Sequence, residues 1–314
     1  MAAGHRTGVG RAARSGAGRA RPAGTGQRAG ALSQAEGGKT GGRPLSNTFE
    51  PRARKSLGQN WLVDPDLLRR VIEAAGIQHE DEVLEIGAGP GTLTAYLVRL
   101  ARRVVAVEVD QRLIFRLRAA APGAEVLAAD ILELDLGRLF PLGGEVVVGN
   151  IPYYLSGALL RRLLEPEPRP KRLSLVVQRE VAQRWCGEDG WSLATVVVHA
   201  FSQPRLAFTL PPAAFRPAPK VHSALVVLEV LPRPALRVPD PAQFFKFSAS
   251  LFQFRRKQLQ GSLARLSGLP AAAVAERLRS LQIDPARRPE TLRLAEWEAL
   301  HTAFGAPKCS SPEH

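Results

Sequence analysis

Two stretches of this sequence carry residue types that could do chemistry. The first is Glu85-Ile86-Gly87-Ala88-Gly89-Pro90-Gly91. Glycines there let the backbone turn sharply and let a ligand come within contact distance of the main chain. It is not a Walker-type phosphate loop, which needs Gly-Lys-Ser/Thr, because Gly91 is followed by Thr92. Its glycines are spaced GxGxG, and Thr92 stands where the dinucleotide fingerprint has its third glycine. Turns of this kind serve nicotinamide dinucleotides, flavins, nucleotides and S-adenosylmethionine alike. Glu108 follows 21 residues after Gly87, and Asp130 ends the next apolar run. A carboxylate at the first position can accept both hydroxyls of a ribose, and one at the second can accept a hydrogen bond from an adenine amine. Taken singly, either acid suits helix capping, with Asp110 a candidate N-cap. As a pair behind a glycine loop they point to a nucleoside-containing ligand.

The second stretch is Gly149-Asn150-Ile151-Pro152-Tyr153. An exocyclic adenine amine is a poor nucleophile because its lone pair is delocalised into the ring. The Asn150 side-chain oxygen and the Ile151 carbonyl can each accept one N–H of such an amine. That turns it towards tetrahedral geometry and aims its lone pair, which is catalysis by positioning and electrostatics. Pro152 fixes φ and removes a donor, holding the turn rigid. Tyr153 offers a ring on which an extruded base can stack. If the amine so held accepts a methyl group, the resulting ammonium gives its proton to solvent, and no strong base is required.

The elements that must position these residues alternate. Short β-branched runs at 83–87, 104–108, 124–128, 145–149 and 173–177 are separated by helical spacing at 91–101, 111–120 and 155–165. That order predicts a parallel sheet covered on both faces. Residues 193–201 fit a strand by composition and a helix by position. Runs at 205–210 and 221–230, joined by a turn-rich segment, predict an antiparallel edge. After a proline-rich linker at 232–241, only helical periodicity is left. The expected organisation is a basic arm over 1–50, a Rossmann-like α/β domain over 51–232, a small all-helical domain over 233–306 and a tail over 307–314.

Composition sets the remaining bounds. The chain has 314 residues, 45% hydrophobic and 23% charged, enough to bury a core. No apolar run approaches the ~18 residues of a membrane span, and no membrane partner is expected. The two cysteines, Cys186 and Cys309, form no zinc or disulfide pattern. His199 and His222 have no partners at ligand spacing, so no metal is expected. The net charge of +14 predicts a polyanionic partner. It is concentrated at the start: residues 1–55 hold 11 basic side chains against Glu36 and Glu50. The first 48 residues contain 12 glycines and almost no large apolar side chain. This reads as a disordered arm attracted to RNA, with organelle targeting the lesser reading and the cytoplasm the expected location. Nearer the C-terminus, Arg255, Arg256 and Lys257 beside Phe252 and Phe254 suit a helix face that tracks phosphates, with Phe252 in the core. Phe215 is either a second wall for an extruded adenine or a loop anchor. Trp185 and Trp191 are expected to pack.

Several of these motifs together resemble the ribosomal RNA adenine N6,N6-dimethyltransferases, most closely their KsgA-type small-subunit branch. The resemblance runs from about Arg54 to Leu300. It includes Lys55-Ser56-Leu57-Gly58-Gln59-Asn60-Trp61-Leu62, the glycine loop, Glu108, Asp130 and Asn150–Tyr153. It also includes Phe215-Arg216-Pro217-Ala218-Pro219-Lys220-Val221, Phe252-Gln253-Phe254-Arg255-Arg256-Lys257 and Arg288-Pro289-Glu290-Thr291-Leu292. The sequence departs from the pattern at Trp61, His222 and Gly261, and Ile151 is more typical of the large-subunit dimethylases. The resemblance implies a seven-stranded S-adenosylmethionine-dependent methyltransferase sheet with a helical C-terminal domain, and a helix over 193–201. It implies dimethylation of two adjacent adenines in a hairpin near the 3′ end of small-subunit rRNA, on an assembling subunit. A monomer is expected. The resemblance also implies cofactor contacts at Asn60, Leu62, Gly87, Glu108, Asp130 and Asn150, with Gly89 beside them in the glycine loop. A large-subunit dimethylase and a non-catalytic RNA-binding assembly or transcription factor are the alternatives. The second should have lost the intact Asn-x-Pro-Tyr turn.

Overall fold

Continuous burial along the central strands, with successive residues facing opposite sides, decides the architecture. Leu84 and Ile86, Val105 and Val107, and Val147 face one apolar cluster, while Val83, Val104, Val146 and Val148 face another. A sheet with both faces apolar must be covered on both sides. The computed structural model describes residues 53–152 and 155–305. The basic arm, Tyr153 and the C-terminal tail lie outside the described residues.

The strands are β1 (Trp61–Leu62), β2 (Glu82–Ile86), β3 (Arg103–Glu108), β4 (Glu125–Ala128), β5 (Val146–Asn150), β6 (Arg172–Gln178), β7 (Ser202–Leu210), β8 (Phe215–Arg216) and β9 (Ser223–Val230). Seven of them form one sheet in the order β4-β3-β2-β5-β6-β9-β7. From β4 to β6 the pairing is parallel; β9 enters antiparallel between β6 and β7. The expected seven strands and antiparallel edge are therefore present. The chain leaves β2 for β3 and β4 on one side, then returns to β5 on the other. A crevice for a ligand opens at such a reversal, at the carboxyl ends of the strands.

The helices are α1 (Pro65–Ala75), α2 (Thr94–Leu97), α3 (Gln111–Ala120), α4 (Leu136–Leu139), α5 (Ser156–Leu164), α6 (Arg179–Trp185), α7 (Leu193–Phe201), α8 (Pro241–Phe252), α9 (Leu259–Ser267), α10 (Ala271–Ser280) and α11 (Leu294–Phe304). The ambiguous 193–201 stretch is the helix α7. A reciprocal cap between Ser192 and Thr195 starts it, and Val196, Val197 and Val198 are all buried. Burial on every side explains why its sequence lacks helical periodicity. The helix expected over 91–101 is only one turn long, and its flanks are turns.

The C-terminal helices begin after β9, as expected. Phe244, Leu251, Leu259, Trp297 and Leu300 continue the apolar cluster that lies under the sheet. One expectation here is corrected. Arg255, Arg256 and Lys257 are not on a helix but in the turn between α8 and α9. Phe254 N–H donates to Leu251, Arg255 to Phe252 and Lys257 to Phe254, each reaching back three residues rather than four. The next residues are drawn elsewhere, Leu259 N–H to Arg287 O at 2.8 Å and Gln260 N–H to Pro285 O at 3.1 Å. Phe252 does pack inward, stacked on Trp297 with ring centroids 4.8 Å apart.

Candidate active site

The carboxyl ends of β2, β3, β4 and β5 wall a cavity enclosing about 910 Å³, open solvent at its mouth included. Gly87, Glu108, Asp130 and Asn150 all line it, joined by Gln59 and Asn60 just before β1 and by Trp61 at its start. Four strand ends and one amino-terminal segment thus converge, although Asn60 and Asn150 are 90 residues apart in sequence.

Each polar group in the wall is fixed by the backbone. Glu108 is 5% exposed, and its two oxygens accept the Gly89 and Asp110 N–H groups, both at 2.8 Å. Burial pushes its carboxyl pKa up, against the pull of those donors. Asp110 caps α3, as the sequence suggested, and accepts from Gln59 Nε2 at 3.0 Å. Hydrogen bonds from Arg112 hold it well below the usual carboxylate range. Asp130 accepts the Leu132 N–H at 2.9 Å with one oxygen. Glu108 is therefore no solvated neighbour of a cap but a clamp on the glycine loop.

The glycines have separate tasks. Gly87 sits at φ 70° on the cavity wall. Gly89 does not line the cavity; a side chain there would meet the Trp61 ring at 2.9 Å, so its bareness lets the loop close under Trp61. Leu62 is 7% exposed and packs with α1, lining a neighbouring hollow rather than the cavity itself.

Asn150 ends β5. Its side-chain Nδ2 donates to the Asn60 carbonyl at 2.5 Å, which turns the amide oxygen away from that wall. Ile151 is 1% exposed, and its N–H donates to Val176 O at 3.0 Å. Pro152 also lines the cavity, and its carbonyl accepts the Leu155 N–H at 2.9 Å, closing the turn. The arrangement can hold a purine amine by two acceptors and keep it from rotating.

Phe215 requires a correction as a possible wall for an extruded base. It is 1% exposed, paired through β8 with Leu62 of β1, and buried with Leu68, Val71 and Leu225. It is the loop anchor. Trp185 and Trp191 are buried, and His199 stacks on Trp191 at 4.7 Å. No group of metal-ligating side chains occurs among the described residues. No helix among them is long and apolar enough to cross a membrane.

Sequence reasoning gave no role to Glu85, Gln59 or Trp61. Glu85 is 2% exposed, its Oε2 has no hydrogen-bond partner, and burial pushes its pKa up to about 8. It faces the hollow next to the cavity, which shares Trp61, Gly87 and Asn150. An acid in the middle of an apolar strand was the available signal.

The family model for ribosomal RNA adenine dimethylases matches residues 50–300. The chain belongs to the ribosomal RNA adenine dimethylase family. Among curated relatives, the ribosomal RNA small subunit methyltransferase A of Dehalococcoides mccartyi is 35% identical over 275 residues, covering 85% of this chain and 94% of that protein. The protein of the same name from Pelotomaculum thermopropionicum is 39% identical over 269 residues, 80% of this chain and 91% of its own. Among solved structures, that of the 23S rRNA methyltransferase ErmE superposes with a TM-score of 0.63 at 28% identity, covering 79% of this chain and all of that one. The dimethylase is thus an enzyme with the family's seven-stranded methyltransferase sheet and uses S-adenosylmethionine. That donor fits the site: a buried carboxylate stands where a ribose would lie, with a bare main-chain glycine before it and a second acid one strand on.

A second surface is basic. Phe254, Arg256, Lys257, Gly261, Arg265 and Arg288 line an open groove of about 880 Å³ with no acidic side chain in its wall. Arg255, Arg256, Lys257 and Arg288 make no ion pair among the described residues.

Proposed function

We propose that this dimethylase acts on the N6 amino groups of two adjacent adenines near the 3′ end of small-subunit rRNA. It acts as a monomer, on an assembling subunit, in the cytoplasm. The observation that carries this reading is the tie between Asn150 and Asn60 in the cavity that also holds Glu108 and Asp130. In this reading Glu108 takes the ribose hydroxyls of the donor, Asp130 the adenine amine, and Asn60, Leu62, Gly87 and Gly89 shape the rest of its seat. Bound there, S-adenosylmethionine supplies an electrophilic methyl group.

Asn150 Oδ1 and the Ile151 carbonyl each take one N–H of the target amine. Pro152 keeps the two acceptors at a fixed separation, and Tyr153 stacks on the base. Two acceptors on one amine draw its lone pair out of the ring, so the gain falls in the transition state rather than in ground-state binding. Arg255, Arg256 and Lys257 hold rRNA phosphates on the C-terminal helical domain.

The small-subunit assignment is supported by the names of the curated relatives. The second reading, the large subunit, rests on the likeness to a 23S rRNA enzyme and on Ile151, and the curated relatives do not favour it. Labelled S-adenosylmethionine given to purified under-methylated small and large subunits, followed by nucleoside analysis, separates the two. Dimethyladenine is expected in the small subunit, and its appearance only in the large one would overturn the assignment. Asn150→Ala should lower turnover by about 10²–10³-fold, the range for losing an aligned transition-state hydrogen-bonding group. Its affinity for subunits should stay within a few-fold of wild type. Unchanged turnover would refute the mechanism.

A further inference from the structure

We propose that the outer face of α3 is a second RNA-docking surface, with Phe115 as a platform on which an unpaired rRNA base stacks. The proposal rests on the rRNA reading above and adds a contact outside the cavity and outside the basic groove. Helix α3 buries Leu113, Ile114 and Leu117 against the sheet. At 100° per residue, the direction opposite that buried stripe falls on Phe115 and Ala119. Phe115 is 86% exposed, although a phenylalanine normally gains by leaving water. Ala119 one turn on is too small to cover the ring.

The surroundings specify the partner. Arg112 and Arg116 flank the ring on one side and Arg118 on the other, and α3 itself contains no acidic residue. Arg116 and Arg118 make no ion pair among the described residues. The acid nearest in sequence, Asp110, is 2% exposed and is held by Gln59 and Arg112. An aromatic ring between the guanidinium groups of Arg116 and Arg118 matches a base with a phosphate on either side, which is how single strands are gripped without sequence readout. Asp110, the N-cap of α3, follows directly on Glu108 and Val109 of the cavity wall, and Phe115 lies about 8 Å along the helix axis from it, so one strand of RNA can span the cavity and this face.

The test uses the full chain and under-methylated small subunits. Phe115→Ala should weaken subunit binding by about 5- to 20-fold, within the range for losing one stacked base. Its turnover at saturating subunit should stay within about twofold, as for a residue that contributes binding alone. Phe115→Tyr should restore affinity and Phe115→Leu should not, because only a ring can stack. Charge removal at Arg116 and Arg118 should reduce the salt slope of binding by about 1.5, from roughly 0.7–0.9 per phosphate. A photocrosslinker carried on Phe115→Cys should join rRNA. Wild-type affinity in Phe115→Ala, full rescue by leucine, or a crosslink only to a ribosomal protein would overturn the proposal. Failure of the wild-type chain to make dimethyladenine in small subunits would instead strike the functional reading beneath it.

Discussion

The cavity at the strand ends and the basic groove after α8 both face a ligand, but they are built in opposite ways. In the cavity, each charged group is buried or half-buried and already tied to the main chain: Glu108 to Gly89 and Asp110, Asp130 to Leu132. In the groove, Arg256, Lys257 and Arg288 are exposed and unpaired. A small ligand that must be held to within a fraction of an ångström needs groups that do not move on binding. A long polyanion needs charge, and gains by releasing counterions along its length. The cavity should therefore respond to pH and to single-atom changes, and the groove to salt.

The largest effect that would sharpen this contrast concerns Glu85. Its pKa rises from 4.5 to about 8 in the folded chain because burial disfavours the charged form. The folded state then holds a proton that the unfolded state releases. The resulting stabilisation is complete below about pH 4.5 and is lost as pH rises through about 8. A shift of this size corresponds to about 5 kcal/mol between the two limits. Glu85→Gln, which cannot ionise, should remove that pH dependence. Denaturant melts of both proteins at mildly acidic and alkaline pH read it directly. Parallel pH profiles would mean that Glu85 is not buried as the fold places it.

Next in size is Glu108→Ala, which removes two buried charge-assisted hydrogen bonds and the clamp on the glycine loop. Cofactor affinity by calorimetry should fall about 10- to 100-fold. The loss should be the same at low and high salt. A loss that shrinks as salt rises would place this acid in a screened, solvent-like setting and erase the contrast.

How far this contrast was legible in the sequence follows the same division. Glu108, Asp130 and Asn150 could be placed because strand ends in a parallel sheet face one edge, so spacing alone brings them together. The same reasoning could not reach Gln59, Trp61 or Phe215. Their positions come from β1 pairing with β8, across more than 150 residues of chain, and local pattern holds no trace of such a pairing. Phe215 was open as a stacking wall for that reason. The helix expected through Arg255–Lys257 failed through a tertiary effect, since backbone bonds from Leu259 and Gln260 to residues near 286 end the α8 register. Glu85 was visible as a polar residue in an apolar strand. Its missing partner was not, because lone pairs are satisfied or left bare only in three dimensions.

A smaller effect tests the groove. Replacing Arg255, Arg256 and Lys257 together by glutamine should lower rRNA affinity about tenfold at physiological salt and reduce the salt slope by about 2. Cofactor affinity should be unchanged. Binding measured over a salt series separates this from misfolding, which would lower affinity without altering the slope. An unaltered slope would show that these cations do not meet phosphates.

The smallest effect asks whether the groove is shaped as tightly as the cavity. Gly261 is the third residue of α9, and a side chain added there meets nothing within 4 Å. Alanine should therefore stabilise the helix by about 0.5–1 kcal/mol, since glycine loses more backbone freedom on folding. In a chain of this size that is a rise of roughly 1–4 °C in melting temperature. If RNA is held at the groove mainly by charge, the added methyl group should leave its affinity within about twofold, because phosphate contacts do not depend on one methyl. Stability and affinity would then move independently. A rise in melting temperature together with a large loss of affinity would mean that the RNA backbone rests directly on α9 at this position. The groove would then be as closely fitted as the cavity, with Gly261 serving contact rather than accident.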